Sequence, residues 1–188
     1  MRTRDDGELP RIVFRPPVEA DHRRLVDVVD HWFGRPVRAR LGRMWFEHFS
    51  GTSLVGETLD PRSADPDLPR VAAFIVGFES PGRPGEAVIH LAAVAPEWRR
   101  RGFGTAIHTL WLADRAAAGA VSASVAIPPD ERVAFLFYRS LGFDPVTAGS
   151  RPLWGIPAFA DHEGDGADRA VLVRSLVVGT SDASRDAG

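Results

Sequence analysis

The feature that most constrains this chain is the run of residues 90–105, HLAAVAPEWRRRGFGT. An apolar strand is followed by a proline, three arginines, two glycines one residue apart, and the start of an apolar helix. The first N–H groups of a helix have no partner within it, and glycine lets an anion approach them closely. The segment therefore predicts a site for a pyrophosphate group, with the arginines adding positive charge.

A charged surface loop is the simplest alternative for the same pattern, and two nucleotide-binding loops also have to be considered. A Rossmann dinucleotide loop would need a third glycine where Ile107 stands and an acidic residue about 20 positions further on. The first acidic residue after the next strand is Asp130, which is too distant and follows two prolines. A Walker-type loop needs lysine, and all 23 basic residues are arginine. Both nucleotide-binding loops are therefore excluded.

Apolar periodicity along the chain predicts a mixed α/β domain. Strands are expected at residues 11–15, 54–58, 71–78, 87–95, 121–127, 146–148 and 170–178, and helices at 19–33, 37–49, 105–118 and 131–141. The turn SPGRPG, at residues 80–85, makes the two strands around it a hairpin. Antiparallel strands followed by strand–helix–strand–helix indicate a mixed, mostly antiparallel central sheet flanked by helices.

Length, charge and cysteine content limit what the chain does. It has 188 residues, a net charge of −2 and no cysteine. We expect one domain over residues 11–179, with flexible polar ends at residues 1–10 and 180–188. The charge balance argues against nucleic acid or a membrane as the main partner, and the lack of cysteine excludes thiolate nucleophiles and zinc–thiolate sites. A polar N-terminus and the absence of cysteine favour a cytoplasmic location.

Two motifs resemble those of the GNAT superfamily of acetyl-CoA-dependent N-acetyltransferases, most closely its bacterial members. The family's acyl-CoA loop has Arg or Gln, two residues, Gly, one residue, and Gly or Ala; this chain fills the pattern with Arg99, Gly102 and Gly104. One strand later the family has a helix carrying alanine, an aromatic residue and tyrosine before Leu-Gly-Phe. The matching residues are Ala134, Phe137, Tyr138, Leu141, Gly142 and Phe143. The resemblance therefore implies the acyl-CoA N-acyltransferase fold.

The resemblance also implies how acetyl-CoA is bound. Backbone N–H groups of the loop would hold the pyrophosphate, the end of the preceding strand would pair with the pantetheine arm, and the second motif would supply further contacts. The residues so assigned are Arg99, Arg100, Arg101, Gly102, Phe103, Gly104, Thr105, Ala92, Ala93, Val94, Glu131, Ala134 and Phe137. Many members have asparagine at the position of Glu131, which accepts hydrogen bonds but does not donate them when ionised.

The implied reaction is direct transfer of the acetyl group to a primary amine. Tyr138 would protonate the leaving thiolate as general acid, and the N–H of Ala92 would stabilise the thioester oxygen. From the residues alone, Tyr138 is better explained as a core side chain of an amphipathic helix, and the acid role comes from the resemblance. A non-catalytic acyl-CoA-binding sensor or complex subunit, and a protein that binds another pyrophosphate nucleotide, are the alternative functions.

The general base and the acceptor stay open at this point. Glu86, His90 and Ala92 share one face of their strand by its two-residue period; His90 suits a base, and Glu86 could act through water. A structural histidine, or deprotonation by a desolvated site alone, are the alternatives.

The acceptor pocket is expected near Trp45, His48 and Trp154, with core packing as the alternative for the first two. The partner would be a small-molecule or peptide amine, and the chain a monomer or homodimer. No metal is expected, because the acidic loop of residues 161–168 has Leu172 where a calcium loop needs glutamate.

Overall fold

The structure, a computed structural model, describes residues 12–59 and 69–177. The ends predicted to be flexible, residues 1–10 and 180–188, lie outside these ranges. The strands are β1 Ile12–Arg15, β2 Leu54–Thr58, β3 Arg70–Glu79, β4 Glu86–Val94, β5 Ser122–Ile127, β6 Asp144–Pro145, β7 Arg151–Leu153, β8 Ile156–Ala158 and β9 Ala170–Ser175. The α-helices are α1 Glu19–Val26, α2 Val29–Phe33, α3 Met44–Glu47, α4 Phe103–Ala117 and α5 Arg132–Ser140. Short 3₁₀ turns are Arg38–Arg40, Ser50–Thr52 and Pro96–Trp98.

Seven of the strands form one mixed sheet in the order β1-β2-β3-β4-β5-β9-β6, and β7 and β8 form a separate hairpin. β1 with β2, β2 with β3, β5 with β9 and β6 with β9 are antiparallel, whereas β4 and β5 are parallel. A parallel pair needs a long crossover, which α4 supplies. The predicted fold class, a mostly antiparallel sheet flanked by helices, is confirmed.

By its internal contacts the chain divides into two compact units. The first combines the described residues up to Phe78 with His90–Trp111, and the second combines Glu79–Ile89 with the described residues from Leu112 onward. The core of the first unit packs apolar residues of α1, α2 and α3 against β2, β3 and β4. Its largest members are Trp32, Trp45, Trp98, Phe46, Phe74 and Phe103.

Two predicted helices are shorter in the structure. The helix predicted over residues 19–33 is two helices, α1 and α2, and α2 ends at Gly34, whose φ is +67°. The Asp30 carboxylate accepts hydrogen bonds from the N–H groups of Val37 and Arg38, both at 2.7 Å, and so fixes a turn after α2. The helix predicted over residues 37–49 is reduced to the 3₁₀ turn Arg38–Arg40 and the four-residue α3, because Leu41 leaves helical geometry with ψ of 58°.

The strand predicted over residues 146–148 is also wrong. β6 pairs with β9 at Asp144–Pro145, two residues before the predicted start, and the later segment Arg151–Ala158 forms the β7–β8 hairpin that the sequence analysis did not predict. The hairpin turn consists of Trp154 and Gly155, whose φ values of 55° and 77° suit a two-residue turn that follows the strand twist.

Candidate functional site

The loop before α4 presents its backbone N–H groups outward. Gly102 has φ of +82° and Arg100 has φ of 62°. The first hydrogen bond of the helix runs from the Ala106 N–H to the Gly102 carbonyl, at 2.9 Å. No described residue accepts a hydrogen bond from the backbone N–H groups of residues 100–105. These donors lie at the positive end of a 15-residue helix, which is the arrangement that binds phosphate.

Space above the loop is open as well. A Cβ atom added at Gly102 would have no heavy atom within 4 Å. Glycine is therefore required there by the left-handed backbone and not by close packing within the chain. A pyrophosphate group fits this site, because the donors are unpaired, the cradle is open and the neighbouring side chains are basic.

The three arginines of the loop differ in what they contact. Arg99 donates from Nε to the Val94 carbonyl at 3.1 Å and from Nη2 to the Trp32 carbonyl. The guanidinium of Arg101 lies 5.0 Å from the ring centroid of Trp98. Arg100 is exposed and makes no ion pair or side-chain hydrogen bond with the described residues. The contacts of Arg99 thus hold the loop to the first unit. Arg100 is the arginine of the three whose guanidinium is most open to an anion.

His90 and Trp45 form an aromatic stack in the same unit. Their ring centroids are 4.2 Å apart, with 18° between the planes. The Arg40 carbonyl accepts a hydrogen bond from each ring, from His90 Nε2 at 2.9 Å and from Trp45 Nε1 at 3.1 Å. Phe49 and Phe78 pack against Trp45, with ring centroids 5.0 and 6.0 Å away. Two of the predicted site residues, one from α3 and one from β4, are therefore brought together.

Other residues of β4 follow the expected alternation. Ala87, Ile89 and Leu91 are buried, whereas Glu86, Val88, His90 and Ala92 are half-exposed. His48, by contrast, is 73% exposed beside Glu47. The face of β4 predicted to carry Glu86, His90 and Ala92 is partly exposed to solvent. His48 is far more exposed than Trp45, although both lie in the segment predicted as one helix.

Tyr138 lies on α5 in the second unit, where it is buried. Its ring makes edge contacts with Phe137 and Phe143, at centroid distances of 5.5 and 5.4 Å. Burial raises the pKa of the Tyr138 phenol well above its ordinary value of 10. The phenol is therefore protonated at neutral pH and is able to donate a proton. Ala134 and Phe137 lie half-buried on the same helix, and Glu131 precedes it directly.

Glu86 has both carboxylate oxygens engaged within the second unit. Oε1 accepts a hydrogen bond from Ser124 Oγ at 2.5 Å, and Oε2 pairs with Arg83 Nε at 3.0 Å. Each oxygen keeps a further lone pair, so a water could still bind to Glu86 while these two contacts hold the carboxylate in place. The sequence analysis did not identify Ser124, although it lies two residues beyond Ser122, which pairs with Glu86 in the parallel register.

Trp154 stands at the tip of the β7–β8 hairpin and is 77% exposed. A bulky residue with positive φ is rare, so its conformation is unusual for tryptophan.

His108 is a buried residue beside the loop that the sequence analysis missed. Its Nδ1 donates to the Gly104 carbonyl at 2.8 Å, and burial lowers the pKa of His108 to about 4. Its spacing gave a signal, since it follows Gly104 by four residues and adjoins the inward-facing Ile107.

Within residues 12–59 and 69–177, no group of three or more His, Asp or Glu side chains could hold a metal ion. No helix in these ranges is long and apolar enough to cross a membrane.

Comparison with known families identifies the class of protein. Residues 22–143, more than half of the chain, match the family described as Acetyltransferase (GNAT) family. The chain therefore belongs to the GNAT family, as its two motifs predicted. It is an acyltransferase whose co-substrate is acetyl-CoA. A search of curated proteins gave no sequence match.

Solved structures share the fold at low sequence identity. The diaminobutyrate acetyltransferase of Paenibacillus lautus, in complex with L-2,4-diaminobutyric acid and coenzyme A, has a TM-score of 0.63 and 18% identity, over 90% of this chain and 98% of that one. Ard1 from Thermoplasma volcanium has a TM-score of 0.66 and 19% identity, over 89% and 99%. A phosphinothricin acetyltransferase from Sinorhizobium meliloti, in complex with AcCoA, has a TM-score of 0.63 and 17% identity, over 90% and 90%.

Proposed function

We propose that the protein transfers an acetyl group from acetyl-CoA to a primary amine by direct attack. The observation that carries the proposal is the loop at residues 100–105, with its unpaired N–H groups and the open space at Gly102. These donors would hold the pyrophosphate of the coenzyme, and Arg100 and Arg101 would add charge. Bound acetyl-CoA supplies an acetyl group already activated as a thioester.

The strand end before the loop would bind the pantetheine arm. Ala92, Ala93 and Val94 are half-buried, so their backbone is partly accessible. The Val94 carbonyl already accepts a hydrogen bond from Arg99, which leaves it one further lone pair. We assign Glu131, Ala134 and Phe137 to the same arm because they belong to the second family motif.

Tyr138 would act as the general acid. As the amine nitrogen forms the amide bond and the carbon–sulfur bond breaks, the Tyr138 hydroxyl gives its proton to the sulfur. One proton of the amine passes to a base, for which the candidates are His90 and Glu86. A phenol is neutral at pH 7, so the Tyr138 hydroxyl has a proton to give, although burial raises its pKa and makes it a weaker acid.

The acceptor would be a small-molecule amine or the amine of a peptide. Exposed Trp154 and His48 remain candidate acceptor contacts, together with Trp45. A single domain over residues 11–179, a monomeric or homodimeric state, a bacterial origin and a cytoplasmic location remain predictions from the sequence.

Two assays test the proposal in sequence. Calorimetry with coenzyme A, NAD and ATP should show binding of coenzyme A alone. Thiol release from acetyl-CoA should then be measured with L-2,4-diaminobutyric acid, phosphinothricin and peptides with a free N-terminal amine. We expect acetylation of at least one class of amine. Binding without transfer to any amine would favour the sensor function, and equal binding of the three nucleotides would contradict the coenzyme site.

A further inference from the structure

We propose that Trp98 is a positioning residue for the coenzyme. Its indole holds the guanidinium of Arg101 by the flat face and leaves the N–H edge of that group for phosphate oxygens. The inference rests on the proposed coenzyme site and extends it, because it makes Arg101, and not the more open Arg100, the arginine that contributes most to coenzyme affinity.

Trp98 is a firmly packed platform within the first unit. It ends the 3₁₀ turn Pro96–Trp98, and its N–H donates to the Ala95 carbonyl at 2.9 Å. Its side chain is 6% exposed and belongs to the apolar core of that unit. The ring of Phe103, the first residue of α4, stacks on it at a centroid distance of 5.8 Å, with 24° between the planes. An indole packed in this way has little room to change its orientation.

Arg101 lies over this platform. Its guanidinium carbon is 5.0 Å from the centroid of the Trp98 ring, within the range of about 6 Å for a cation–π interaction. The turn between the two residues includes Arg100, whose φ of 62° is unfavourable for a residue other than glycine. Stacking on a ring uses the flat face of a guanidinium, whereas its five N–H donors point outward in the plane of the group.

The three loop arginines differ in how they are held. Arg99 is held by its N–H edge, since its Nε and Nη2 groups donate to the carbonyls of Val94 and Trp32. Arg100 is exposed and is held by no described residue, so a phosphate has to order its whole side chain. Arg101 is held by its face, and no described residue accepts a hydrogen bond from its side chain. It alone of the three is both oriented and able to offer its whole N–H edge.

The stack is next to the proposed phosphate cradle. Trp98 contacts both Arg101 and Phe103, and these two residues stand on either side of Gly102, where the backbone turns with φ of +82°. A guanidinium fixed there meets the coenzyme having already lost part of its rotamer freedom, so less of the binding free energy goes into ordering it. Its planar fork then forms parallel, charge-assisted hydrogen bonds to two phosphate oxygens.

The first test reads the stack without a ligand. The ring current of an indole moves the NMR signals of protons above its face upfield, so the side-chain signals of Arg101 report the contact. Arg101→Gln assigns these signals among the 23 arginines. We expect upfield-shifted signals in the wild type, a smaller shift in Trp98→Phe and none in Trp98→Leu. Unshifted Arg101 signals in the wild type would overturn the proposal.

The second test is a double-mutant cycle on coenzyme A affinity, measured by calorimetry at one ionic strength. Arg101→Gln should weaken binding about 10-fold to 30-fold, because a charge-assisted contact is lost. The matched control, Arg100→Gln, removes the same charge one residue earlier and should cost about fivefold or less. Trp98→Leu should weaken binding about threefold to tenfold, and Trp98→Phe, which keeps a weaker aromatic face, about twofold.

The coupling in this cycle separates positioning from packing. In the Arg101→Gln background, Trp98→Leu should have no further effect on affinity, because the side chain that the indole orients is absent. If Trp98 only supported the loop, its loss would weaken binding by the same factor with or without Arg101. That result, or equal losses in Arg100→Gln and Arg101→Gln, would overturn the proposal. If Trp98→Leu does not fold, the same cycle is measured with Trp98→Phe, whose twofold loss should also vanish.

The outcomes are distinguishable from failure of the proposed function. If the wild type does not bind coenzyme A, the proposed coenzyme site fails, and this inference fails with it. If the wild type binds coenzyme A and acetylates an amine, but the effects of Trp98→Leu and Arg101→Gln on affinity multiply, the transfer stands and only this inference is refuted.

Discussion

Replacing His108 by glutamine should make the stability of the protein less sensitive to mild acid. His108 is buried on α4, and its pKa is lowered from an ordinary 6.5 to about 4 because burial disfavours the charged ring. Between these two values the unfolded chain binds a proton that the folded chain does not. The contribution is therefore fully present above pH 6.5 and is lost as the pH falls towards 4. At about 1.4 kcal/mol per pKa unit, the total loss is about 3 kcal/mol.

Urea unfolding at pH 7 and pH 5 measures this difference. Over that interval the wild type should lose about 2 kcal/mol more of its free energy of unfolding than His108→Gln. Glutamine can still donate to the Gly104 carbonyl, which limits the cost of the substitution itself. His31→Gln, at an exposed position of α2, is the matched control and should behave as the wild type. The same pH dependence in the wild type and His108→Gln would refute the reasoning.

Two further substitutions test the proposed acid and a buried ion-pair network. Tyr138→Phe should lower kcat by about 100-fold and leave coenzyme A affinity nearly intact, because it removes only the hydroxyl that donates the proton. Steady-state kinetics and calorimetry measure the two quantities. An unchanged kcat would remove Tyr138 from the mechanism. Asp21→Ala should lower the free energy of unfolding by about 3 kcal/mol or more, because the buried carboxylate pairs with Arg15 at 2.7 and 3.0 Å and also with Arg24. A loss below about 1 kcal/mol in urea unfolding, the range of surface pairs, would contradict that assignment.

Much of the fold could be predicted because its main strands and helix follow patterns between residues that are close in the sequence. The alternation of β4 and the apolar stripe of α4 arise from residues two to four positions apart, which a sequence displays directly. The helix predicted over residues 37–49 was wrong because Leu41 leaves helical geometry after one 3₁₀ turn, and Asp30 fixes the start of that turn from seven residues away. The Asp30 carboxylate binds the N–H groups of Val37 and Arg38, and no property of those two residues reveals that contact.

The backbone of the proposed site was also partly predictable. The loop before α4 could be recognised because it depends on glycine at Gly102, where the observed φ is +82°. The different contacts of the three loop arginines could not be predicted, because Arg99 donates to the Trp32 carbonyl, 67 residues away. The stack on His90 was hidden for the same reason, because the Arg40 carbonyl that orients it is 50 residues distant.

Calorimetric titration of coenzyme A into the folded wild type, Gly102→Glu and Gly119→Glu tests the central claim, that the loop before α4 binds the coenzyme. The two glycines flank the same helix, with φ values of +82° and +103°, and neither has a heavy atom within 4 Å of an added Cβ. Both variants should therefore lose similar stability, about 1–2 kcal/mol from the left-handed backbone. We expect Gly119→Glu to bind like the wild type, and Gly102→Glu to bind about 100-fold more weakly, because charge-assisted hydrogen bonds are lost and a negative charge is added. Equal affinity of the two variants would contradict the coenzyme site.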